Sequence, residues 1–315
     1  MTEWLLIIDG GATKTACAVV HAESGEIKYT KSTGGSNYQA IGAEFATAIL
    51  QELLIHVQQF LQSQAVSQID VATFAMAGID SSKDHEMVSA IVHKALSALQ
   101  LKITTLIIEN DAQATLLGVT AGQAGALLIA GTGAIAYAFD GSQIVRAGGW
   151  GHRAGDEGSG YWLGQEVIRA IFRMEDGRGE PTLLKDAVYD YLCIHDVTEL
   201  AAWLFHPSYT NAQLAKMGAF LADAVTKKDS CAIQISMRAA HELALLASAL
   251  LKKTGYQGDV FYLYCNGGAI KHNPLIFKIF SQEMKLMYPQ IEVSLCQHQP
   301  IYYLIERTKR AYDSL

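Results

Sequence analysis

The alternation of apolar and polar positions predicts three strands and then alternating helices and strands in the first third of the chain. The three strands are expected at residues 5–8, 15–20 and 27–31, with Gly-rich or Ser-Gly turns between them. Apolar residues then recur at helical spacing, at Phe45, Ile49, Leu53, Val57 and Phe60. Further along we expect a strand at 71–75, a helix with Met87, Ile91, Ala95 and Leu99 on one stripe, a strand at 103–108 and a helix beginning near Asp111.

The second part of the chain opens with the same pattern. Strands are expected at 127–130, 134–139 and 143–147, followed by a helical block over 161–253. The alternation then returns, with strands at 260–265 and 291–295 and helices at 274–287 and 301–312.

Two α/β halves with the same beginning predict an internally duplicated fold with a ligand-binding cleft between two domains, and the helical block is then an insertion in the second domain. We place the domains at residues 1–118 and 119–315, with packing of the last helix against the first domain as an open option.

Length and composition narrow the function. A chain of 315 residues, half of them apolar, is long for one hydrophobic core and favours two globular domains. The net charge of −7 leaves no large basic surface, so we expect a small-molecule partner and neither nucleic acid nor a membrane. Residues 112–139 lack charged side chains, but glycines and polar residues interrupt them, which fits a helix, a loop and a hairpin better than a membrane span.

The cysteines and the first residues point to a reducing compartment. Five cysteines stand at wide spacings, at positions 17, 193, 231, 265 and 296, without a Cys-x-x-Cys pair or a metal-binding cluster. They are typical of reduced, mostly buried thiols. The opening Met-Thr-Glu-Trp carries an acid and no secretory signal, so we expect a cytoplasmic protein.

The segment 148–164 has the composition of a ligand-binding loop. It holds seven of the 27 glycines in seventeen residues, together with two tryptophans and the carboxylates Asp156 and Glu157. Such glycine density suits backbone with unusual dihedrals or close approach to a ligand, and Trp150 with Asp156 suits a hydroxyl-rich molecule such as a sugar. A Gly-rich surface turn before an amphipathic helix is the alternative.

The first predicted hairpin combines groups that phosphate and hydrated Mg²⁺ require. Asp9 ends a strand, Gly10 and Gly11 expose backbone N–H groups, and Thr13 and Lys14 add a hydroxyl and an ammonium. The spacing differs from that of a Walker A loop, and an ordinary hairpin turn remains an alternative.

Two further glycine turns strengthen the phosphate hypothesis. Gly131, Thr132 and Gly133 occupy the matching hairpin of the second half, so two facing turns could hold a triphosphate. Near the C-terminus, Gly267 and Gly268 follow a strand and precede a helix, where glycine lets the backbone pass close to a base and ribose.

Together these motifs resemble the sugar-kinase/actin-like ATPase superfamily, with its ribonuclease H-like domains. More narrowly they resemble the N-acetylglucosamine kinase group of the family named for BadF-type ATPases. The resemblance covers nearly the whole chain, and its most specific part is Gly-Gly-Trp-Gly followed by Gly-Asp-Glu-Gly-Ser in 148–164.

The resemblance implies a function and roles for single residues. It implies phosphoryl transfer from ATP to an amino sugar, with the 6-hydroxyl of N-acetylglucosamine as the acceptor. Asp111 matches the catalytic aspartate, and Asp9 would hold Mg²⁺ through water. The sugar-binding positions are matched by Asn37, Gly149, Trp150 and Asp156. The family also implies a homodimer.

Several alternatives remain open at this stage. Asn37 and Asp111 could each be a helix N-cap, and Glu109 is the nearest other candidate for the base. Glucosamine, another hexosamine or a hexose could replace N-acetylglucosamine. An ATPase that activates a radical dehydratase or reductase, or a sugar-responsive regulator, would be a different class.

The sequence departs from the family pattern at two positions. Ala134 stands where a serine is common in the second phosphate motif, and 299–303 lacks a small Gly-Ala pair.

Overall fold

The computed structural model describes residues 3–97, 99, 101–258 and 260–315, and these divide into two units. Unit 1 contains the residues up to 123 together with 297–315, and unit 2 contains residues 124–296. The last helix is therefore a part of unit 1, although unit 2 precedes it in the chain.

Unit 1 is built on a mixed sheet of five strands, in the order β3-β2-β1-β4-β5. The strands are β1 (Trp4–Gly10), β2 (Lys14–His21), β3 (Ile27–Gly34), β4 (Gln68–Met76) and β5 (Lys102–Asn110). The helices of this unit are α1 (Tyr38–Ile41), α2 (Ala43–Ser63), α3 (Ser82–Ser97), α4 (Asp111–Val119) and the last helix of the chain, α13 (Pro300–Asp313). Strands β1 and β2 pair antiparallel, whereas β1, β4 and β5 run parallel.

Both faces of the unit 1 sheet are covered, which explains the continuous apolar run in β1. Leu6 and Ile8 face the core formed with α2 and α3, while Leu5 and Ile7 face the core that includes Leu304 of α13. Because successive side chains of a strand point to opposite faces, a strand between two helical layers has to be apolar at every position.

The predicted faces of two helices in unit 1 were partly wrong. Phe45 and Met87, which the sequence places on the apolar stripes of these helices, are 71% and 43% exposed. The predicted residues Leu53 and Val57 of α2 and Ile91 and Ala95 of α3 are buried. They share their faces with Leu50, Leu54 and Leu61 in α2 and with Val88 and Val92 in α3. Helix α3 ends at Ser97, before Leu99.

Unit 2 contains a second sheet of five strands, in the order β10-β9-β6-β7-β8. Its strands are β6 (Gly125–Ala130), β7 (Ala134–Phe139), β8 (Ile144–Gly148), β9 (Phe261–Asn266) and β10 (Ile291–Leu295). The predicted helical block consists of α5 (Gly160–Glu175), α6 (Leu184–Leu192), α7 (Val197–Leu204), α8 (Asn211–Met217), α9 (Phe220–Thr226) and α10 (Ser230–Lys253). Two more helices, α11 (Gly268–Lys271) and α12 (Pro274–Met287), lie between β9 and β10.

The predicted duplication is confirmed by the two strand orders. In each sheet the first three strands form an antiparallel meander. A fourth strand then pairs in parallel with the first, and a fifth pairs in parallel with the fourth. Within the described part of the chain, none of the helices is long and apolar enough to cross a bilayer.

Candidate active site

Asp9 lies near the carboxyl end of β1, where a parallel sheet commonly binds ligands. It is in register with Ala75 of β4, which in turn is in register with Glu109 of β5. The Asp9 carboxylate therefore lies at the end of the central strand, beside the carboxyl ends of β4 and β5. This placement brings Asp9 and the start of α4 to the same end of the sheet.

The first glycine turn is tightly packed against its surroundings. A Cβ atom on Gly10 would lie 2.5 Å from Met76 Sδ and 2.9 Å from Ser36 Oγ, so only glycine fits this position without movement. The Gly11 N–H donates to the Lys14 carbonyl at 3.0 Å and closes the turn. Thr13 and Lys14 are exposed, so the hydroxyl and the ammonium are free to meet an anion.

Asp111 opens helix α4, but it is not the N-cap of that helix. The cap is Asn110, whose Oδ1 accepts the N–H groups of Ala112 and Gln113 at 2.9 and 3.1 Å. The alternative that Asp111 serves only as a cap is therefore wrong. Its Oδ1 accepts the Ala112 N–H at 2.9 Å, which orients the carboxyl group within the first turn.

Both aspartates have raised pKa values, and the charge of Asp111 contributes to the rise at Asp9. Burial and the negative charge of Asp111 raise the pKa of Asp9 to about 6, and the Lys14 ammonium opposes this rise. Burial also raises the pKa of Asp111, while the Ala112 N–H lowers it and the charge of Asp80 raises it. Two strand spacings of about 4.8 Å separate β1 from β5, so the carboxylates start on the order of 10 Å apart across the sheet edge.

Glu109, the other candidate for the base, is held in an ion pair. Its Oε1 lies 3.2 Å from Arg307 Nε of α13, and both side chains are largely buried. Burial raises the pKa of Glu109 and Arg307 lowers it. A carboxylate that is already committed to a guanidinium is a poor proton acceptor, so this geometry favours Asp111.

Asn37 caps the short helix α1, as one of the two alternatives for this residue predicted. Its Oδ1 accepts the Gln39 N–H at 3.0 Å. The same oxygen faces Gly78, which follows β4 with a φ of +88°. Among the described residues, the amide NH₂ of Asn37 donates to no protein group, so the cap and a ligand contact are compatible.

Asp84 fixes the loop after β4, and sequence reasoning missed it. It accepts hydrogen bonds from the Tyr38 hydroxyl, from Ser81 Oγ at 2.7 Å and from Gln39 Nε2 at 3.3 Å. Hydrogen bonds from Ser81 and Tyr38 lower the pKa of Asp84 to about 2. The segment Ser81-Ser82-Lys83-Asp84 resembles a helix-capping signal, and nothing in it indicated that Tyr38 would be its partner.

In unit 2, the second glycine turn is joined to the start of α5. The Gly131 N–H donates to the Gly133 carbonyl at 2.9 Å. The carbonyls of Gly131 and Thr132 accept the N–H groups of Gly160 and Tyr161 at 2.7 and 3.2 Å. The turn that the sequence assigned to phosphate is thus connected to the Gly-rich segment 148–164.

Gly267 and the second turn lie directly against each other. Gly267 has a φ of +98°, and a Cβ atom there would lie 2.3 Å from the Ala130 carbonyl oxygen. A cavity of about 490 Å³ opens beside them. Its lining includes Gly131, Thr132 and Gly268. The structure therefore brings the second and third glycine motifs to one cavity of a size typical for small-molecule ligands.

Part of this cavity comes from residues that sequence reasoning missed. Helix α8 contributes Ala212, Ala215 and Lys216, and the segment after Gly268 contributes His272 and Asn273. The small residues of α8 leave room for a ligand, and Lys216 is exposed. In the sequence this helix was one element of the helical block, and its alanines gave no functional signal.

The Gly-rich segment presents Trp150 and Asp156 around a smaller cavity of about 190 Å³. Trp150 is 75% exposed, and the Arg146 guanidinium lies 4.9 Å from its ring centre. Arg146 also donates to the Gly149 carbonyl at 2.5 Å, so it fixes both the loop and the indole. No pattern in the sequence indicated this role for Arg146.

Asp156 is half-buried and tied to the second turn. Burial raises its pKa, while the N–H groups of Ala134 and Gly151 lower it by donating to the carboxylate. Ala134 is buried, and its carbonyl accepts the Gly149 N–H at 2.9 Å. Alanine in place of serine at position 134 therefore removes none of these contacts, because the backbone of residue 134 makes them.

The second difference from the family pattern is the missing Gly-Ala pair at 299–303, where α13 begins. The small residue at this contact is instead a glycine on the facing helix, α4. A Cβ atom on Gly118 of α4 would lie 2.0 Å from the Tyr303 carbonyl oxygen, so α4 and α13 pack closely there.

A duplicated α/β fold with glycine turns beside the first hairpin of each sheet is the architecture of sugar kinases and actin-like ATPases. The sequence profile of the BadF/BadG/BcrA/BcrD ATPase family matches residues 8–301. The chain therefore belongs to this ATPase family.

Individual proteins match almost the full chain. It is 27% identical to an N-acetylmuramic acid/N-acetylglucosamine kinase of Clostridium acetobutylicum, over 92% of this chain and 93% of that protein. It is 28% identical to an N-acetyl-D-glucosamine kinase of Dictyostelium discoideum, over 91% of both. A protein of Chromobacterium violaceum assigned as an N-acetylglucosamine kinase has the same fold, with a TM-score of 0.73, 21% identity, and 97% and 99% of the two chains covered.

Proposed function

We propose that this protein is an ATP-dependent kinase that phosphorylates an amino sugar, with N-acetylglucosamine and its 6-hydroxyl as the preferred acceptor. The observation that carries the proposal is the pair Asp9 and Asp111 at the carboxyl ends of β1 and β5, beside a glycine turn that presents Lys14. Two relatives that match over 90% of the chain are named as kinases of N-acetylglucosamine, which supports the choice of sugar.

Asp111 is the proposed general base. Its carboxylate accepts the proton of the sugar hydroxyl as that oxygen attacks the γ-phosphorus, and the bond from phosphorus to the β-phosphate oxygen breaks as ADP leaves. The carboxylate must be ionised to do this, and the Ala112 N–H helps to keep it so.

Asp9 is the proposed partner of Mg²⁺, through water. Two partly buried carboxylates with raised pKa values at one end of the sheet are stabilised as anions by a divalent cation, and oxygen ligands suit magnesium. Among the described residues, no three His, Cys, Asp or Glu side chains form a metal cluster, so phosphate oxygens and water would complete the ligand set. When bound, the ion would neutralise phosphate charge.

The nucleotide would be held by the glycine motifs. We assign phosphate binding to the turns with Gly10, Gly11 and Thr13 and with Gly131, Thr132 and Gly133, and to Lys14. Backbone N–H groups in such turns bind phosphate without side-chain entropy cost. Gly267 and Gly268 would face the adenosine, and the 490 Å³ cavity at Gly268 supports this assignment.

Four residues would hold the sugar. Asn37 and Asp156 offer an amide and a carboxylate for hydroxyl groups, and Trp150 offers an aromatic face. Gly149 places Trp150 through the backbone that Arg146 fixes.

An ADP-release assay with Mg²⁺-ATP and a panel of hexoses and amino sugars tests the proposal. We expect turnover with N-acetylglucosamine to exceed that with glucosamine, N-acetylmannosamine, N-acetylmuramate and glucose. Loss of turnover after EDTA treatment would support the Mg²⁺ assignment. A preference for glucosamine or glucose would change the acceptor, and an absence of sugar-dependent ADP release would refute the kinase.

The remaining assignments are also proposals. We propose a cytoplasmic homodimer with functional domains at 1–118 and 119–315, in which the last helix of the chain packs against the first domain. An iron–sulfur ATPase activator is disfavoured by the cysteines, because burial raises the pKa of Cys17 to about 11 and that of Cys265 well above its usual value. Cluster ligands have to be thiolates.

A further inference from the structure

Unit 2 contains two neighbouring cavities that the proposed kinase reaction does not use. The first has a volume of about 610 Å³ and the second about 520 Å³. Three residues line both cavities: Arg169 and Arg173 of α5, and Arg178, which follows that helix. We call these three residues the arginine ridge.

The first cavity has apolar walls below the ridge. Ile168, Phe172, Leu204 and Leu214 form them. At one end, Gln165 Nε2 donates to the Tyr161 hydroxyl at 3.1 Å, and Tyr161 is hydrogen-bonded to Tyr209. A pocket of this size with apolar walls and a few polar groups is typical of sites for small organic molecules.

The charge of the ridge is only partly neutralised. Glu166, which is buried, accepts hydrogen bonds from Arg169 and from Arg238, and Asp176 accepts two from Arg178, from Nε at 3.0 Å and from Nη2. Among the described residues, Arg173 pairs with no carboxylate, and its guanidinium donates to the Arg178 carbonyl at 3.3 Å. The lining of the first cavity contains three arginines and no acid. Such an arrangement favours an anionic group.

Tyr161 connects this cavity to the two motifs of the proposed active site. Its ring centre lies 4.8 Å from that of His152 in the Gly-rich segment, and its N–H donates to the Thr132 carbonyl at 3.2 Å. A molecule that touches Tyr161 therefore touches a residue in contact with both the second glycine turn and the loop that carries Trp150.

We propose that the first cavity is a regulatory site for a small organic anion with an apolar body. The phosphate, sulfonate or carboxylate of the ligand binds the arginine ridge, and its apolar body packs against the apolar walls. Contact with the bound ligand shifts Tyr161, and Tyr161 in turn contacts segment 148–164 and Thr132. The binding step is independent of the kinase assignment, because none of the ridge arginines belongs to the proposed catalytic or substrate-binding residues.

Anilinonaphthalene sulfonate is a suitable probe because it combines an aromatic body with one anionic group. We expect saturable binding to the full-length protein, seen as a rise in probe fluorescence, that persists in excess Mg²⁺-ATP. In the double variant Arg173→Gln/Arg178→Gln, affinity should fall about ten-fold or more, since charge-assisted hydrogen bonds are lost. The neutral analogue N-phenylnaphthylamine should bind both proteins equally.

The matched control is Lys252→Gln/Lys278→Gln, which removes two exposed positive charges from the same unit away from the ridge. It should leave probe affinity unchanged, and circular dichroism should show that both double variants are folded. Equal probe affinity in wild type and ridge variant would overturn the site, as would complete displacement by Mg²⁺-ATP. Sedimentation that shows the ridge variant alone to be monomeric would make this face a subunit interface instead.

The regulatory step has its own measurement. Saturating probe should change the KM for the sugar or for ATP in wild type, and should leave both unchanged in the ridge variant. Unaltered kinetics in wild type with the probe bound would overturn the regulatory role.

Discussion

Asp111 stands at the first turn of a helix whose cap is its neighbour Asn110, so its carboxylate is free for chemistry. For the variant Asp111→Asn we expect folding and ATP binding to persist, because the amide keeps the shape and can still accept the Ala112 N–H. Turnover should fall by roughly 10² to 10⁴, the usual effect of losing a general base. Steady-state kinetics and ATP-analogue calorimetry measure the two properties separately. Near wild-type turnover would move the base to another residue.

Ionised Asp9 lowers the free energy of unfolding, because the pKa of its carboxyl group is raised in the folded protein. A carboxyl with a folded-state pKa of about 6, above its usual 3.8, favours folding when protonated, so that contribution is present below about pH 4 and is lost as pH rises through 6. At pH 8, Asp9→Asn should therefore raise the free energy of unfolding by on the order of 2–3 kcal/mol. The gain should shrink as the pH approaches 4.

Denaturant titrations of both proteins across this pH range, without nucleotide or metal, measure the effect of Asp9→Asn. Glu292→Gln is a control, because it neutralises an exposed carboxylate in the other unit. A constant difference between wild type and Asp9→Asn at all pH values would contradict the raised pKa.

At the residue scale, the sequence revealed groups whose chemistry is unusual for their position. Asp9 ends an apolar strand, and Trp150 stands among glycines, so both could be selected without coordinates. Asp84 and Arg146 could not be selected in this way. Asp84 gains its role from Tyr38, which lies 46 residues away in the chain, and Arg146 gains its role from the Trp150 ring against its guanidinium. Ordinary charged residues gain a role only when folding brings such partners together.

At the scale of elements, the glycine motif at Gly267 packs so closely against the turn at Gly131 that a single added methyl group should disturb it. Gly267→Ala places a methyl group 2.3 Å from the Ala130 carbonyl oxygen, so β9 or the turn at Gly131 must move. We expect a several-fold or larger increase in the KM for ATP, together with a lower melting temperature. Gly141→Ala is the matched control, because its φ of +101° is similar and, apart from its chain neighbours, no atom of the described residues lies within 4 Å of the new methyl group.

Comparing the two alanine variants separates close packing from backbone strain. Strain at positive φ costs about 1 kcal/mol or more in either variant, so it should appear in both melting temperatures. Only Gly267→Ala should change ATP kinetics. Equal ATP kinetics in the two variants would remove Gly267 from the nucleotide site.

Most elements could be predicted because their periodicity is strong. The strands of both sheets and the helical block are confirmed, since a period of two or 3.6 persists over each of them. The faces of helices were harder to predict. Phe45 and Met87 lie at the borders of their stripes, where an apolar residue fits the helical period whether it faces the core or solvent. The four-residue helices α1 and α11 are too short for any period to be detected.

At the scale of the whole molecule, unit 1 depends on a helix that arrives from the far end of the chain. Leu304 and Ile305 of α13 are buried against β1 and β4, and their loss alone removes about 3–6 kcal/mol of apolar burial. A protein ending at residue 296 should therefore lose the cooperative unfolding transition of unit 1. A protein ending at Asp313, the last residue of α13, should retain it.

Calorimetry and limited proteolysis of the two truncated proteins measure this dependence. Protease fragments from residues 3–123 should appear quickly in the shorter protein and slowly in the longer one. If the shorter protein keeps a protected unit 1, the apolar contacts of α13 contribute less than their burial indicates.

The arrangement of the candidate site could be foreseen only in part. The duplicated opening predicted that the glycine turns would occupy equivalent places, and the strand orders agree. The contribution of α8 to the cavity at Gly268 could not be predicted, because the path of a helical insertion is set by packing and not by its own periodicity.

The return of the final helix to unit 1 also orders events on the ribosome. Unit 2 is one continuous segment, so it can complete its core as soon as residue 296 has emerged. The first 123 residues, although made earlier, must wait roughly ten to thirty seconds for residues 124–296 to be translated before their closing helix exists. During that interval the nascent chain exposes the apolar surface of β1 and β4 that α13 later covers, and exposed surface of this kind is what chaperones bind.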